Sequence, residues 1–183
     1  MHSPDKHLIL LLLLPLLAGC AATISTGSPW DPAEERFFDD GIDVIKDYSQ
    51  LSGQWAFDAE EELTGRVNLS DIIAEVTISS VLTNKNTADI EEKRIQITFN
   101  KMLYGKLTDK NIILSANQNT KGYTLIKRHE DSLKGKHLLF LRLITAQNGM
   151  SNHFHISPAS EFMSGKVNSL IEKRKKAEAL PVK

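Results

Sequence analysis

His153 and His155 are the side chains whose types and spacing come nearest to doing chemistry. Two residues apart on a strand, they point to one face, within reach of one ion, and imidazole nitrogen is a ready ligand for zinc or copper. Phe154 and Ile156 are then expected to face the core and the two imidazoles solvent. No third ligand is fixed by spacing, although His129, Glu130 and Asp131 lie in a loop that can approach. Two surface histidines on an edge strand fit the same pattern, so both readings stay open. Paired carboxylates occur at Asp39-Asp40 and Glu60–Glu62. Neighbours on a helix do not share a face, so these read as solvated surface and not as an acid/base pair.

Other catalytic patterns are missing from the sequence. There is no Gly-x-Ser-x-Gly elbow, and the one Ser-x-x-Lys, from Ser3 to Lys6, lies at the extreme N-terminus. Gly105-Lys106 and Gly135-Lys136 lack the upstream glycine and following hydroxyl of a phosphate loop. The expectation is a protein that is not an enzyme and carries no dissociable cofactor.

Cys20 is the single cysteine. It follows Leu8–Leu17, an aliphatic run interrupted only by Pro15 and preceded by Lys6 and Asp5. At ~1.5 Å per residue that run spans roughly 15 Å, about half of a bilayer core, which suits a signal peptide rather than a transmembrane helix. Ala18 and Gly19 supply small residues beside a cut before Cys20. The string Leu17-Ala18-Gly19-Cys20 resembles the lipobox of bacterial lipoprotein precursors. That resemblance implies removal of residues 1–19, with cleavage between Gly19 and Cys20, and a covalent lipid on Cys20. It also implies a palmitate-type anchor in the bacterial envelope. Ala21 after the cysteine favours the outer membrane, facing the periplasm or the surface. An ordinary cleaved signal with Cys20 left as a free thiol is the alternative.

Of 183 residues, 41% are hydrophobic and 25% charged, with a formal net charge of −1. These values suit one folded domain and give no global attraction for nucleic acid. With Cys20 modified, no thiol remains for a disulfide, so stability must come from burial. The expected organisation is a signal at 1–19, a lipidated cysteine and tether at 20–30, one domain at 31–178 and a tail at 179–183.

Asp31-Pro32-Ala33-Glu34 has the form of a helix start, and Phe37, Phe38, Ile42, Ile45 and Tyr48 follow at roughly helical spacing. A helix is expected there, ending near Ser49–Gly53, with Trp55 and Phe57 packed on the domain. Alternation then predicts strands around Ala74–Ile78, Ile95–Leu103, Ile112–Leu114, Leu138–Ile144 and His153–Ser157, with Tyr123–Ile126 continuing or pairing with the third. Leu138–Ile144, nearly all apolar, reads as the central strand. Ser157-Pro158 opens a last helix with Phe162, Met163, Val167, Leu170 and Ile171 on one face. The fold class is therefore mainly β (α+β): a small antiparallel OB-like barrel or bent sheet of about five strands, flanked by an N-terminal and a C-terminal helix.

Three runs carry a second resemblance: Ile73-Ala74-Glu75-Val76, Ile97-Thr98-Phe99 leading to Leu103-Tyr104-Gly105-Lys106-Leu107, and Gly135-Lys136-His137-Leu138-Leu139-Phe140-Leu141. Their layout over residues 70–157 is similar to netrin-like domains, the OB-type barrels that include tissue inhibitors of metalloproteases. This implies a fold and not the inhibitor activity, because an acylated Cys20 offers no free amine to a target zinc. Trp30, Phe37 and Phe38, with Lys173, Arg174 and Lys175 of the basic C-terminal end, are the expected partner-binding residues. That basic end could equally meet anionic headgroups, or simply complement its own helix dipole. The functional expectation is a membrane-anchored envelope lipoprotein that binds another envelope protein as a scaffold or accessory module. A ligand- or metal-binding lipoprotein using His153 and His155 is the alternative.

Overall fold

Asp39-Asp40-Gly41 stops the helix that the spacing from Phe37 to Tyr48 predicts. Asp31 accepts from the Ala33 N–H at 2.9 Å and Pro32 takes the first helical position, so a turn does start. It lasts for one 3-10 segment, Pro32–Arg36. Asp40 then takes a left-handed backbone, with φ at 52°, which aspartate tolerates better than most residues. Gly41–Ile42 continues as the short strand β1. A second 3-10 turn, Tyr48–Gln50, follows Asp47, whose carboxylate accepts from the Ser49 N–H at 3.0 Å. The segment Trp30–Asp43 is thus a strap laid over the domain.

The structure is a computed structural model and describes residues 29–45, 47–85, 87–107, 112–146 and 149–180. The expected signal, Cys20 and most of the tether lie outside the described residues.

The N-terminal helix lies further along, as α1, Gly53–Leu69. Its inward face is built from Leu63 and Val67, with Ala56 and Ala59 half-buried. Trp55 and Phe57, expected to pack on the domain, are instead 76% and 65% exposed. Strands β2 (Ile72–Lys85) and β3 (Glu91–Tyr104) form a long hairpin. The short strand β4 (Leu114–Asn117) pairs antiparallel with β3. Helix α2 (Lys121–His129) stands where Tyr123–Ile126 reads as strand. Thr120 caps it by accepting from the Tyr123 N–H at 3.2 Å, and Tyr123 and Ile126 then share its buried face. Strands β5 (Gly135–Ala146) and β6 (Gly149–Pro158) form a second hairpin, and α3 (Glu161–Glu178) closes the chain behind its cap Ser160.

The fold is mixed α+β, with one six-stranded sheet in the order β1-β6-β5-β2-β3-β4. All pairings are antiparallel except that of β1 with β6, in which Gly41 meets His155 and Ile42 meets Ile156. The sheet curls into a half-barrel, bringing the Asn152 amide 3.4 Å from the Ile113 carbonyl. Its inner side holds Ile72, Val76, Leu139, Leu141, Phe154 and Ile156, covered by Tyr123 and Ile126 of α2. On the outer side, α1 and α3 set Leu63, Val67, Met163, Val167 and Ile171 against Ile73, Leu138 and Phe140. Strand β5 lies inside the sheet between β6 and β2, as its apolar sequence requires.

The strap is wedged in by two glycines. A Cβ on Gly65 of α1 would stand 2.2 Å from the Phe37 ring. A Cβ on Gly122, in the first turn of α2, would stand 2.1 Å from the Asp40 carbonyl oxygen. Phe37 and Phe38 fill the outer core at 7% and 1% exposure, and burying such a ring contributes about 1.5–3 kcal/mol. Gly122→Ala is expected to push the strap off α2 at a cost of about 1–3 kcal/mol, read by urea denaturation. Wild-type stability in that variant would show that the close approach is not required.

Candidate functional site

The expected metal pair is not a pair of open ligands. The alternation along β6 is as expected, with Phe154 and Ile156 in the inner core and the imidazoles on the other side. His155, however, is buried, and His153 is only partly exposed. Strand β1 adds to the free side of β6, and the strap covers the face that would otherwise meet water.

Three carboxylates of the strap, Asp39, Asp40 and Asp43, reach partners on β6. His155 Nδ1 lies 2.8 Å from Asp39 Oδ1, and its Nε2 lies 2.9 Å from Asp43 Oδ1. His153 Nδ1 lies 2.8 Å from Asp40 Oδ2, whose second oxygen accepts from the Phe154 N–H at 3.0 Å. The Ser157 hydroxyl donates to Asp43. The Asp43 N–H donates to the Ile156 carbonyl at 2.8 Å, which continues the β1 ladder. From α1, the buried Arg66 approaches Asp43 at 3.4 Å and Glu62 at 3.2 Å, and its Nε donates to the Phe37 carbonyl at 3.3 Å. One strand away, Arg142 of β5 stands opposite His153 and holds Glu34 and Asp71 at 2.8 and 3.0 Å.

These distances fix protonation. Burial alone raises the Asp43 carboxyl, but the charge and hydrogen bond of His155, with the charge of Arg66, outweigh it and hold Asp43 well below the ordinary carboxylate range. Asp39 is lowered in the same way, chiefly by His155 against its own burial. An ionised carboxylate only accepts, so both ring nitrogens of His155 must donate, and the ring is an imidazolium. Burial and Arg66 push its pKa down, yet the charge of Asp43 and the bonds to both carboxylates carry it above the usual imidazole value. The pocket therefore holds Asp39, Asp43, His155 and Arg66 as two negative and two positive charges. Burial and Asp43 together push the neighbouring Tyr48 hydroxyl far above its ordinary value, so it stays protonated. The bond to Asp40 raises His153, against burial.

The strap and α2 enclose a cleft of about 740 Å³ beside this cluster, lined by Trp30, Arg36, Glu62, Thr120, Lys121 and His153 among others. The Trp30 ring packs on His153, with centroids 4.3 Å apart and planes tilted by 32°. Among the described residues no three His, Cys, Asp or Glu side chains gather as a metal site. Both ring nitrogens of His155 are already bound to carboxylates, so it offers no lone pair to an ion. Glu130, a proposed third ligand, pairs with Lys93 at 2.7 Å.

The expected partner-binding residues are divided by the structure. Phe37 and Phe38 are core and cannot meet a partner, because the expected helix gives way to the strap that buries them. Trp30 is half-buried against His153. Arg174 is turned inward: its guanidinium donates to the Val67 and Ser70 carbonyls at 2.7 Å each, capping the end of α1, and packs 3.9 Å over the Tyr104 ring. Lys173 and Lys175 remain exposed, the latter 3.2 Å from Glu172. Read from sequence alone, Asp39 and Asp40 pass for solvated surface and Asp43 and Arg66 are not singled out, because the acids fall on an expected helix. The signal available was three acids in five residues facing two histidines within an apolar strand.

No protein-family model matches the chain, and no curated protein matches it either.

Two predictions follow from the charges. Asp43→Ala leaves His155 and Arg66 buried without their shared counter-charge, and should cost about 3–5 kcal/mol in urea denaturation. A loss below about 1 kcal/mol would show that the cluster is solvated. Asp39 and Asp43 have lowered folded pKa values, so their contribution is present above the unfolded value near 4 and is lost as pH falls through the folded values. The Tm should therefore fall steadily below about pH 4, and Asp39→Asn should soften that fall. An acid limb identical in the variant would exclude Asp39 from it.

Proposed function

We propose that the chain is the precursor of a membrane-anchored envelope lipoprotein, placed in the outer membrane, whose folded domain is a non-enzymatic protein-binding or accessory module. The observation that carries this is the string Leu17-Ala18-Gly19-Cys20 at the end of an apolar run, with the chain's single cysteine at the position that lipidation requires. Among the described residues no helix is long and apolar enough to cross a membrane. Attachment through Cys20 gives the domain a membrane address by another route, since two or more acyl chains make a stable anchor.

The OB-like reading belongs to the same proposal. Strands β2, β3 and β4 form an antiparallel meander, and α2 follows. Strand β5 then returns to pair with β2 and leads by a hairpin to β6, whose N-terminal part approaches the chain before β4. A partly open five-stranded barrel with a helix across its interior has this course. The strap strand β1 is then an addition to the barrel. Fold alone does not name an activity. Protein binding is supported by the first half of α1, where Trp55 and Phe57 are exposed along with Asp58, Glu60 and Glu61. Exposed tryptophan is enriched among the residues that dominate protein interfaces.

The test is cross-linking and affinity purification of the full-length, C-terminally tagged protein from envelopes, with Cys20→Ala as control. The wild type should partition with membranes and recover a discrete set of proteins. Cys20→Ala should lose both, and Trp55→Ala should lose the partners while keeping its Tm within the range of a surface change, about 0.5 kcal/mol. Membrane partition unchanged in Cys20→Ala would overturn the anchor. Recovery unchanged in Trp55→Ala would remove α1 from the interface.

A further inference from the structure

We propose that the contacts of His155 with Asp39 and Asp43, together with that of His153 with Asp40, form a pH-operated latch that docks the strap against β6 when the imidazoles are protonated and releases its β1 edge when they are neutral.

The geometry supplies the two states. Protonated, His155 donates from both nitrogens, at 2.8 and 2.9 Å, to two carboxylates that belong to the strap alone. Neutral, the ring keeps one N–H, and its other nitrogen turns a lone pair on a carboxylate at the same distance. The pocket at the same moment passes from balanced charge to an excess of one negative charge, with Asp43 largely shielded from water and Asp39 only partly so. Either carboxylate can recover its solvation only by moving away, against the burial of Ile42 and the bond from the Asp43 N–H to Ile156. The ladder of β1 is two residues long.

The surroundings decide how the latch is set. Facing His155 are Asp39 and Asp43 of the strap, Arg66 of α1 with its exposed partner Glu62, and Ser157 of its own strand, with Tyr48 beyond Asp43. His137 and His129 line a small cavity on the far side of Asp43, and burial lowers the former, favouring its neutral form. Facing His153 are Asp40 and Glu35, with Lys121 of α2, Glu62 of α1 and Arg36, itself paired with Glu61, around the cleft and Arg142 of β5 alongside, the last engaged by Glu34 and Asp71. Carboxylates thus outnumber cations around both imidazoles, which sets release on the alkaline side of the ordinary imidazole value. A group whose pKa is raised in the folded state stabilises that state below its unfolded pKa. The contribution is lost as pH climbs through the folded one. The Glu34–Arg142 pair and the buried Phe37 and Phe38 keep the start of the strap in place while its end at Gly41–Asp43 lets go.

Hydrogen exchange tests this on the full-length chain in detergent, with rates corrected for the intrinsic effect of pH. Between about pH 5.5 and pH 8.5, protection of the amides in residues 41–43 should fall by about ten-fold for each pH unit separating the folded and free imidazole pKa values. Protection in β2, residues 72–78, should stay constant. Asp39→Asn keeps an acceptor for Nδ1 but removes one charge, so the midpoint should move to lower pH. His155→Gln, which has no proton to lose in this range, should show weak and pH-independent protection at residues 41–43. The latch is overturned if residues 41–43 follow β2 across the whole range, or if the midpoint in Asp39→Asn stays where it is in the wild type. Because the Asp39→Asn result depends on neither Cys20 nor a partner, its failure is distinct from failure of the lipoprotein reading.

Discussion

A histidine ring buried between two carboxylates is the constraint on which the N-terminal third of this fold depends. Three charged groups would be costly to bury singly, because each loses its hydration. Placed together with Arg66, they cancel, and every donor on His155 finds an acceptor. The arrangement is stable only when the strap brings Asp39 and Asp43 to a strand more than a hundred residues further along the chain. A local charge balance therefore dictates a long-range connection. Removing one member leaves the others worse off than if none were present, the asymmetry that distinguishes buried ion pairs from exposed ones.

The connection then shapes the rest. Strand β6 would be an open edge without β1, and open edges invite pairing with other chains. The strap covers that edge with the least ladder possible and adds side-chain bonds along its length, from Glu34 on Arg142 to Asp43 on Ser157. Phe37 and Phe38 anchor it in the outer core between α1 and the sheet. Gly65 and Gly122 leave room for that passage, so two residues with no side chain carry as much of the geometry as the charged ones. Arg174 plays a comparable part at the other end, closing the last turn of α1 from α3.

Much of the sheet was legible because its strands bury one or both faces and announce it. Val76 and Ile78 alternate with half-exposed residues, and Leu138–Ile144 is apolar but for Arg142 because helices and curl cover both of its sides. Helix α3 was legible from Met163, Val167 and Ile171. Helix α1 was not, since its inner face near the N-terminus is made of alanines while its aromatics face outward, the reverse of the usual signal. The strap was illegible for a different reason. Its phenylalanines and isoleucines fall at helical spacing, and what denies it a helix is the destination of its carboxylates, partners more than a hundred positions away. Periodicity reports the face a segment buries. It is silent on side-chain bonds that pull a segment straight.

That silence bears on how the candidate site should be understood. Two histidines two apart in sequence look like ligands because nothing in the local sequence says what already holds them. In the fold, one ring has both nitrogens bound and the other shares its Nδ1 with Asp40 and its face with Trp30. The same residues that weaken a metal reading make the strap responsive to protonation, because a ring that has two partners must keep two protons to keep them both. In a domain tethered through Cys20, as proposed, the strap follows the anchor by about ten residues of sequence. The charge state of two imidazoles then decides how firmly the far end of the strap, Gly41–Asp43, is joined to the half-barrel, while Glu34, Phe37 and Phe38 hold the end nearer the anchor. A buried histidine between acids is thus better described as a joint than as a site, and its strength is set by the proton activity around the protein.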